Sequence, residues 1–160
     1  MRGVVATSIA AMLLLSTTGC ERYALDRQME ELCKKDGGVK VYETVTLPAS
    51  LYDRYGVLVF GPLMAMPDDA YFQRVGDDDY RMVTKKVYIV GKDSDPTKGE
   101  GNLVRVHTAI YRWKDKHLLG ESIEYWRGGG DGVTFGFQPS SNVCPKPRAG
   151  IDQLVFSKGE

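Results

Sequence analysis

LVRVHTAIYRWKDKHLLGESIEYWR, Leu103–Arg127, decides the fold. Two stretches of alternating apolar and polar residues flank Lys114, Asp115 and Lys116, the pattern of an antiparallel hairpin. A turn centred on Lys114-Asp115 or on Asp115-Lys116 assigns the same residues to each face. One face collects Val104, Val106, Thr108, Ile110, Leu119, Glu121, Ile123 and Tyr125 and is the core candidate. The other carries Leu103, Arg105, His107, Ala109, Tyr111, Trp113, Leu118, Ser122, Glu124 and Trp126, a mixture too aromatic for an ordinary wetted surface. Arg105, His107, Tyr111, Trp113, Glu124 and Trp126, with Arg127 beside them, form the expected binding face.

Outward from the hairpin, Leu25, Met29, Leu32 and Cys33 recur at helical spacing and predict a helix over Tyr23–Lys35. Its four-residue charge pairs, Arg27 with Glu31, Glu30 with Lys34 and Glu31 with Lys35, support the same reading. Lys34 and Lys35 suit the negative end of the helix dipole, and Gly37 and Gly38 supply the stop. Val39–Leu47 alternates as a strand, with Val39, Val41, Val45 and Leu47 on one face, Glu43 on that same apolar face, and Pro48 at its end. A further strand is expected over Arg81–Val90, followed by a polar loop, Gly91–Gly101. Residues 49–80 carry no sustained period beyond the apolar Val57–Phe60. Val133–Phe137 reads as a strand, the proline-rich 138–147 as an irregular strap around Cys144, and Gln153–Phe156 as a short strand. The expected architecture is α+β: one N-terminal helix on a mainly antiparallel sheet of about four to six strands.

Arg2, the apolar run Val4–Leu15 and the small residues Ser16–Gly19 lead to Cys20, in the manner of an export signal ending in a lipid-attachment cysteine. The apolar run falls short of the about 20 residues a membrane span requires. Bacterial lipoboxes usually carry Leu where Thr17 stands, and cleavage between Gly19 and Cys20 without lipid fits the same small residues. Residues 1–19 are thus expected to be removed and 20–160 to form a single periplasmic domain. Glu21 after the cysteine favours the outer membrane, facing the periplasm.

With Cys20 assigned to lipid, Cys33 and Cys144 are left to pair in an oxidising compartment. Closing so long a loop stabilises by about 3 to 5 kcal/mol in the chain-entropy model. Basic and acidic residues balance at 21 each, and loss of Arg2 leaves a net charge near −1. Basic residues form no stripe interleaved with aromatics, which argues against a nucleic-acid partner.

Catalytic and metal patterns are weak throughout. Two cysteines and two histidines, His107 and His117, make a poor zinc set, and the imidazoles lie too far apart along the hairpin to share a metal. The aspartates at 77–79, 93 and 95 lack calcium-loop spacing. Arg127-Gly128-Gly129-Gly130-Asp131-Gly132 has no following Gly-Lys-Ser/Thr, so its glycines fit turns or close backbone approach instead of a phosphate cradle. Ser122, His107 and Glu124 imitate a triad, but neighbours in a ladder make a poor nucleophile, and a His107–Glu124 hydrogen bond is the plainer expectation. Neither a cofactor nor a catalytic residue is expected. An acid and base pair requires Glu43 and Glu121 to converge.

Cys33-Lys34-Lys35-Asp36-Gly37-Gly38, Val41-Tyr42-Glu43-Thr44-Val45, Leu47-Pro48, Leu118-Leu119-Gly120-Glu121, Arg127-Gly128-Gly129-Gly130-Asp131, Pro139-Ser140-Ser141 and Cys144-Pro145 together resemble a group of uncharacterised small proteobacterial lipoproteins. Lys116 replaces the glycine that the hairpin turn favours in that group. The resemblance spans Cys33 to Pro145 and implies no activity. The sequence therefore leads to a non-enzymatic, membrane-anchored periplasmic lipoprotein with a binding or shielding role toward an envelope protein or glycan. Its rivals are an inhibitor of a host hydrolase such as lysozyme and a glycan hydrolase using two carboxylates.

Overall fold

The computed structural model describes residues 20–132, 138–146 and 149–160. Residues 1–19, expected to be an export signal, and the strand expected over Val133–Phe137 lie outside the described residues. Helix α1 (Cys20–Asp36) opens the fold, with Glu21 in its first turn and Lys34 and Lys35 in its last. Leu25, Met29 and Cys33 are buried along the stripe that their spacing dictates. The helix stops where the Gly37 amide donates to the Cys33 carbonyl, 2.8 Å away. A Cβ on Gly37 would stand 2.6 Å from that same oxygen, so only glycine closes the turn this tightly.

Seven antiparallel strands form the main sheet: β1 (Gly38–Val41), β3 (Met64–Met66), β4 (Ala70–Val75), β5 (Tyr80–Val90), β6 (Asn102–Arg112), β7 (His117–Gly128) and β8 (Ser141–Cys144). Their order is β1-β7-β6-β5-β4-β3, and β8 also pairs with β7. β1 lies along residues 120–123 of β7 and β8 along 125–128, so the two short strands share one edge end to end. The described residues also form β2 (Val45–Leu47), a short helix α2 (Ile151–Val155), β9 (Phe156–Lys158), which pairs in parallel with β2, and single 3-10 turns at Ala49–Leu51 and Pro96–Lys98. The α+β class holds, with more strands than the sequence suggests. Both β3 and β8 are too short for an alternating pattern to announce them.

Two cores lie on opposite faces of the sheet. α1 covers β6, β7 and β8, where Leu25, Met29 and Cys33 meet Leu103, Ile123 and Tyr125. On the reverse face, Leu47, Leu58, Val75, Ile110 and Leu119 pack with Ile151, Val155 and Phe156 from the C-terminal segment. Cys33 and Cys144 are joined, fastening α1 to β8 across a separation of 111 residues.

One irregularity in β7 reorganises the hairpin. Arg112 faces His117 and Tyr111 faces Leu118, as a turn centred on Lys114-Asp115 requires, but the next pair is Ile110 with Gly120. Leu119 is therefore an extra residue, a bulge, and beyond it every β7 side chain exchanges faces relative to the expected register. Ile123 and Tyr125 stand with Arg105 and His107 under α1, and Trp126, Glu124 and Ser122 stand with Val104, Val106 and Thr108 on the reverse face. Gly120 makes room for the C-terminal helix: a Cβ there would lie 2.8 Å from Val155 Cγ2 and 3.1 Å from Ile151 Cδ1.

The same bulge divides the strand expected over Val39–Leu47. The amides of Tyr42 and Glu43 both donate to the Leu119 carbonyl, at 2.8 and 3.0 Å, which ends the β1 ladder and sends the chain out to β2. Gln153–Phe156 is also not one strand: its first three residues belong to α2, and pairing begins at Phe156. Among the described residues, no helix is long and apolar enough to cross a membrane.

Replacing both half-cystines (Cys33→Ala/Cys144→Ala) is expected to lower the free energy of unfolding by about 2 to 5 kcal/mol in urea titrations. A loss below about 1 kcal/mol would show that the staple contributes little beyond the packing of α1.

Candidate functional site

The seven residues expected to form one binding face fall on two. Arg105, His107, Tyr111 and Arg127 belong to the face that α1 partly covers, and Trp113 follows at the turn, its ring contacted by Arg81 of that face and by Lys116. Glu124 and Trp126 point to the reverse face because of the bulge at Leu119. Ser122 is likewise on the opposite side of the sheet from His107, so a Ser122, His107, Glu124 triad is geometrically impossible.

On the α1 face, Arg105, His107 and Arg127 are each held by a carboxylate. Arg127 is only 2% exposed. Its Nε donates to Asp26 Oδ1 at 3.0 Å, and its Nη1 donates to the carbonyls of Gly129 and Ser140 at 3.0 and 2.9 Å. Asp26 also accepts from Asn142 Nδ2 at 3.1 Å. Burial pushes the Asp26 carboxyl pKa up, but hydrogen bonds from Arg127 and Asn142, with the charges of Arg127 and Arg22, outweigh burial and leave it lowered. Arg127 is thus a structural clamp and leaves the binding face. Arg105 pairs with Asp36 at 3.2 Å, and the Tyr125 hydroxyl donates to the same carboxylate at 2.7 Å.

His107 stands opposite Ile123, and its Nε2 lies 2.8 Å from Glu121 Oε2, in place of the expected bond to Glu124. The Tyr42 hydroxyl donates to Glu121 Oε1 at 2.7 Å. Hydrogen bonds from Tyr42 and then His107 hold the Glu121 carboxyl below its ordinary pKa, which is unsuited to a proton donor near neutral pH. Glu43 lies outside the strand on which an apolar-face position was expected; it pairs with Arg112, and its other oxygen is 3.2 Å from His117 Nε2. Both carboxylates of the acid and base scheme are therefore held by separate sets of donors, and that scheme loses its support.

The reverse face carries a groove of about 720 Å³. Val104, Trp126 and Val143 form one cross-strand row within it, through β6, β7 and β8. Trp126 is 41% exposed, and its Nε1 donates to Glu124 Oε2 at 2.8 Å, which fixes the indole while leaving its ring open to contact. Lys86 Nζ lies 5.9 Å from the centre of that ring. Asn102, Ser141 and Lys146 add polar groups to the lining. An exposed, oriented aromatic among amides, hydroxyls and both signs of charge suits an extended amphipathic ligand. Of the residues expected on the binding face, Trp126, Glu124 and Arg127 line this groove, whereas Val143 and Lys146 come from the irregular-looking strap and no periodic signal marks them.

No family model, no curated protein and no solved structure matches this chain.

The two arginines are expected to separate in stability measurements. Arg127→Met should cost about 3 to 5 kcal/mol, since it removes the buried charged partner of Asp26 and a donor to two carbonyls, and Arg105→Met, at a partly exposed pair, no more than about 1 kcal/mol. Similar losses in chemical denaturation would contradict the clamp. Glu121 makes a pH-dependent contribution with a definite sign. Its folded pKa is below the ordinary 4.5, so its stabilisation is complete above that pH and is lost as pH falls through the lowered value. Glu121→Gln should flatten the acid limb of the stability curve below about pH 4.5, and an unaltered limb would contradict this.

Proposed function

We propose that this chain is a non-enzymatic, lipid-anchored periplasmic protein that binds an envelope ligand in the groove at Trp126. The groove is the observation that carries the reading. Its floor is aromatic and aliphatic, its lining includes Asn102, Ser141, Lys146 and Glu124, and its single exposed indole is held in place through Nε1. A glycan strand fits this chemistry: the apolar faces of sugar rings stack on an indole, and their hydroxyls hydrogen-bond to amide and carboxylate groups. The lipid anchor is supported by the apolar run and small residues leading to Cys20. The disulfide fits an oxidising compartment.

Trp113 and Trp126 are the only tryptophans, so a Trp113→Phe variant reports on the groove alone. Titrating it with soluble peptidoglycan fragments is expected to shift Trp126 emission saturably, and Trp126→Ala should weaken binding at least about tenfold in calorimetry, roughly 1.4 kcal/mol. Emission that is indifferent to the fragments would reject the glycan. Inhibition of lysozyme by the same preparation would instead place this surface against a host hydrolase.

A further inference from the structure

We infer that the end of the fold built from residues 99–101 and 129–132 is held flush against the membrane, because the lipid-bearing residue belongs to a pinned helix and not to a flexible tether. The inference rests on lipid attachment at Cys20, as proposed above.

α1 begins at Cys20, and the residues directly after it are fixed to the body. Glu21 Oε1 accepts from the Gly101 amide at 3.3 Å, and the Arg22 amide donates to the Gly130 carbonyl at 3.1 Å. The Arg22 side chain reaches Asp131 at 3.3 Å. Leu25, one turn on, is buried so tightly that a Cβ on Gly101 would lie 2.4 Å from its Cδ1. The two loops that receive the helix are themselves packed backbone on backbone. The Gly132 amide donates to the Gly99 carbonyl at 3.2 Å, and a Cβ on Gly99 would fall 1.5 Å from the Gly132 oxygen.

A flexible linker adds up to about 3.6 Å of reach per residue, and here no residue separates the anchor from the pinned helix. The acyl chains must enter the hydrocarbon, which sets the first turn of α1 at the headgroup layer, since one turn rises only about 5.4 Å. Tyr23, 72% exposed on that turn, is the kind of amphipathic ring that resides at this depth. The strands then run away from the bilayer. β6 leaves residues 99–101 and carries the chain to the hairpin turn at 113–116, roughly 35 Å away at 3.4 Å per residue. The Trp126 groove, whose row begins within three residues of the Asn102 end of β6, opens near the membrane and not at the distal tip. Its ligand is met within a short distance of the headgroups.

The test uses the full, processed chain in vesicles of phosphatidylethanolamine and phosphatidylglycerol that carry a surface acceptor dye. A donor dye is attached through a clickable unnatural side chain at Lys98 or at Lys114, and intact mass spectrometry reads the acyl group on Cys20. Energy transfer from position 98 is expected to exceed that from position 114 at least about threefold, as the separation along β6 requires. Inserting about ten Gly/Ser residues between Cys20 and Glu21, with an r.m.s. length near 17 Å, should erase most of that difference. Acylated protein with equal transfer from both positions overturns the flush docking alone, and so does a difference that survives the spacer. Absence of the acyl group overturns both the docking and the anchor beneath it.

Discussion

A single buried guanidinium ties the structure together. Arg127 leaves the end of β7 and reaches Asp26 on α1, the Gly129 carbonyl in the glycine loop and the Ser140 carbonyl before β8. The helix, the end of β7 with its glycine loop, and the segment leading into β8 thereby acquire one fixed relation. A buried ion pair is no more stabilising than well-packed apolar residues in general, and its removal by halves is costly. Its value here is positional. The disulfide repeats the connection a turn and more further along α1, from Cys33 to Cys144 on the same β8 strand. Helix, hairpin and strap are thus fastened twice on the α1 face, and the reverse face of β8 is left to line a groove.

The second constraint is the extra residue at Leu119. Because side chains alternate with a period of two, one added residue transfers the remainder of β7 to the opposite face. It sends Tyr125 beneath α1, sends Trp126 to the groove and brings Glu121 beside His107. The Leu119 carbonyl also takes two amides from the departing β1 strand, and the missing Cβ at Gly120 admits Ile151 and Val155. The bulge therefore sets both the division of the residues expected to form one face and the position of the C-terminal helix.

Much of this was legible in the chain. The 3.6-residue spacing of Leu25, Met29 and Cys33 located α1, the alternation on either side of Lys114–Lys116 located the central hairpin, and cysteine parity paired Cys33 with Cys144. The face assignment failed at a place that carried a warning, since a lone glycine within a strand pattern, Gly120, is a recognised mark of a bulge. Other features left no local trace. β3 and β8 are three and four residues long, too short to display a period, and β2 and β9 pair although more than a hundred residues separate them. Arg127 was assigned to the expected binding face because its partners, Asp26 and Ser140, are adjacent only after folding. Trp126 survived as a candidate because an indole seeks contact whichever face it occupies.

The margins of the sheet limit self-association. β3 offers an incoming strand only Met64–Met66, and the opposite margin is divided between β1 and β8, four residues each. Cross-β stacking draws on uninterrupted segments of about six or seven residues, longer than either margin supplies. Of the long, strongly β-forming strands, β6 is paired along both sides and β7 is covered on its outer side by β1 and β8, whereas β4 covers β5 only from Tyr80 to Lys85 and leaves Lys86–Val90 without a strand partner on that side. Crowded side by side at high local density, neighbouring copies would thus meet, on the described strands, only open runs of ladder shorter than fibril growth draws on.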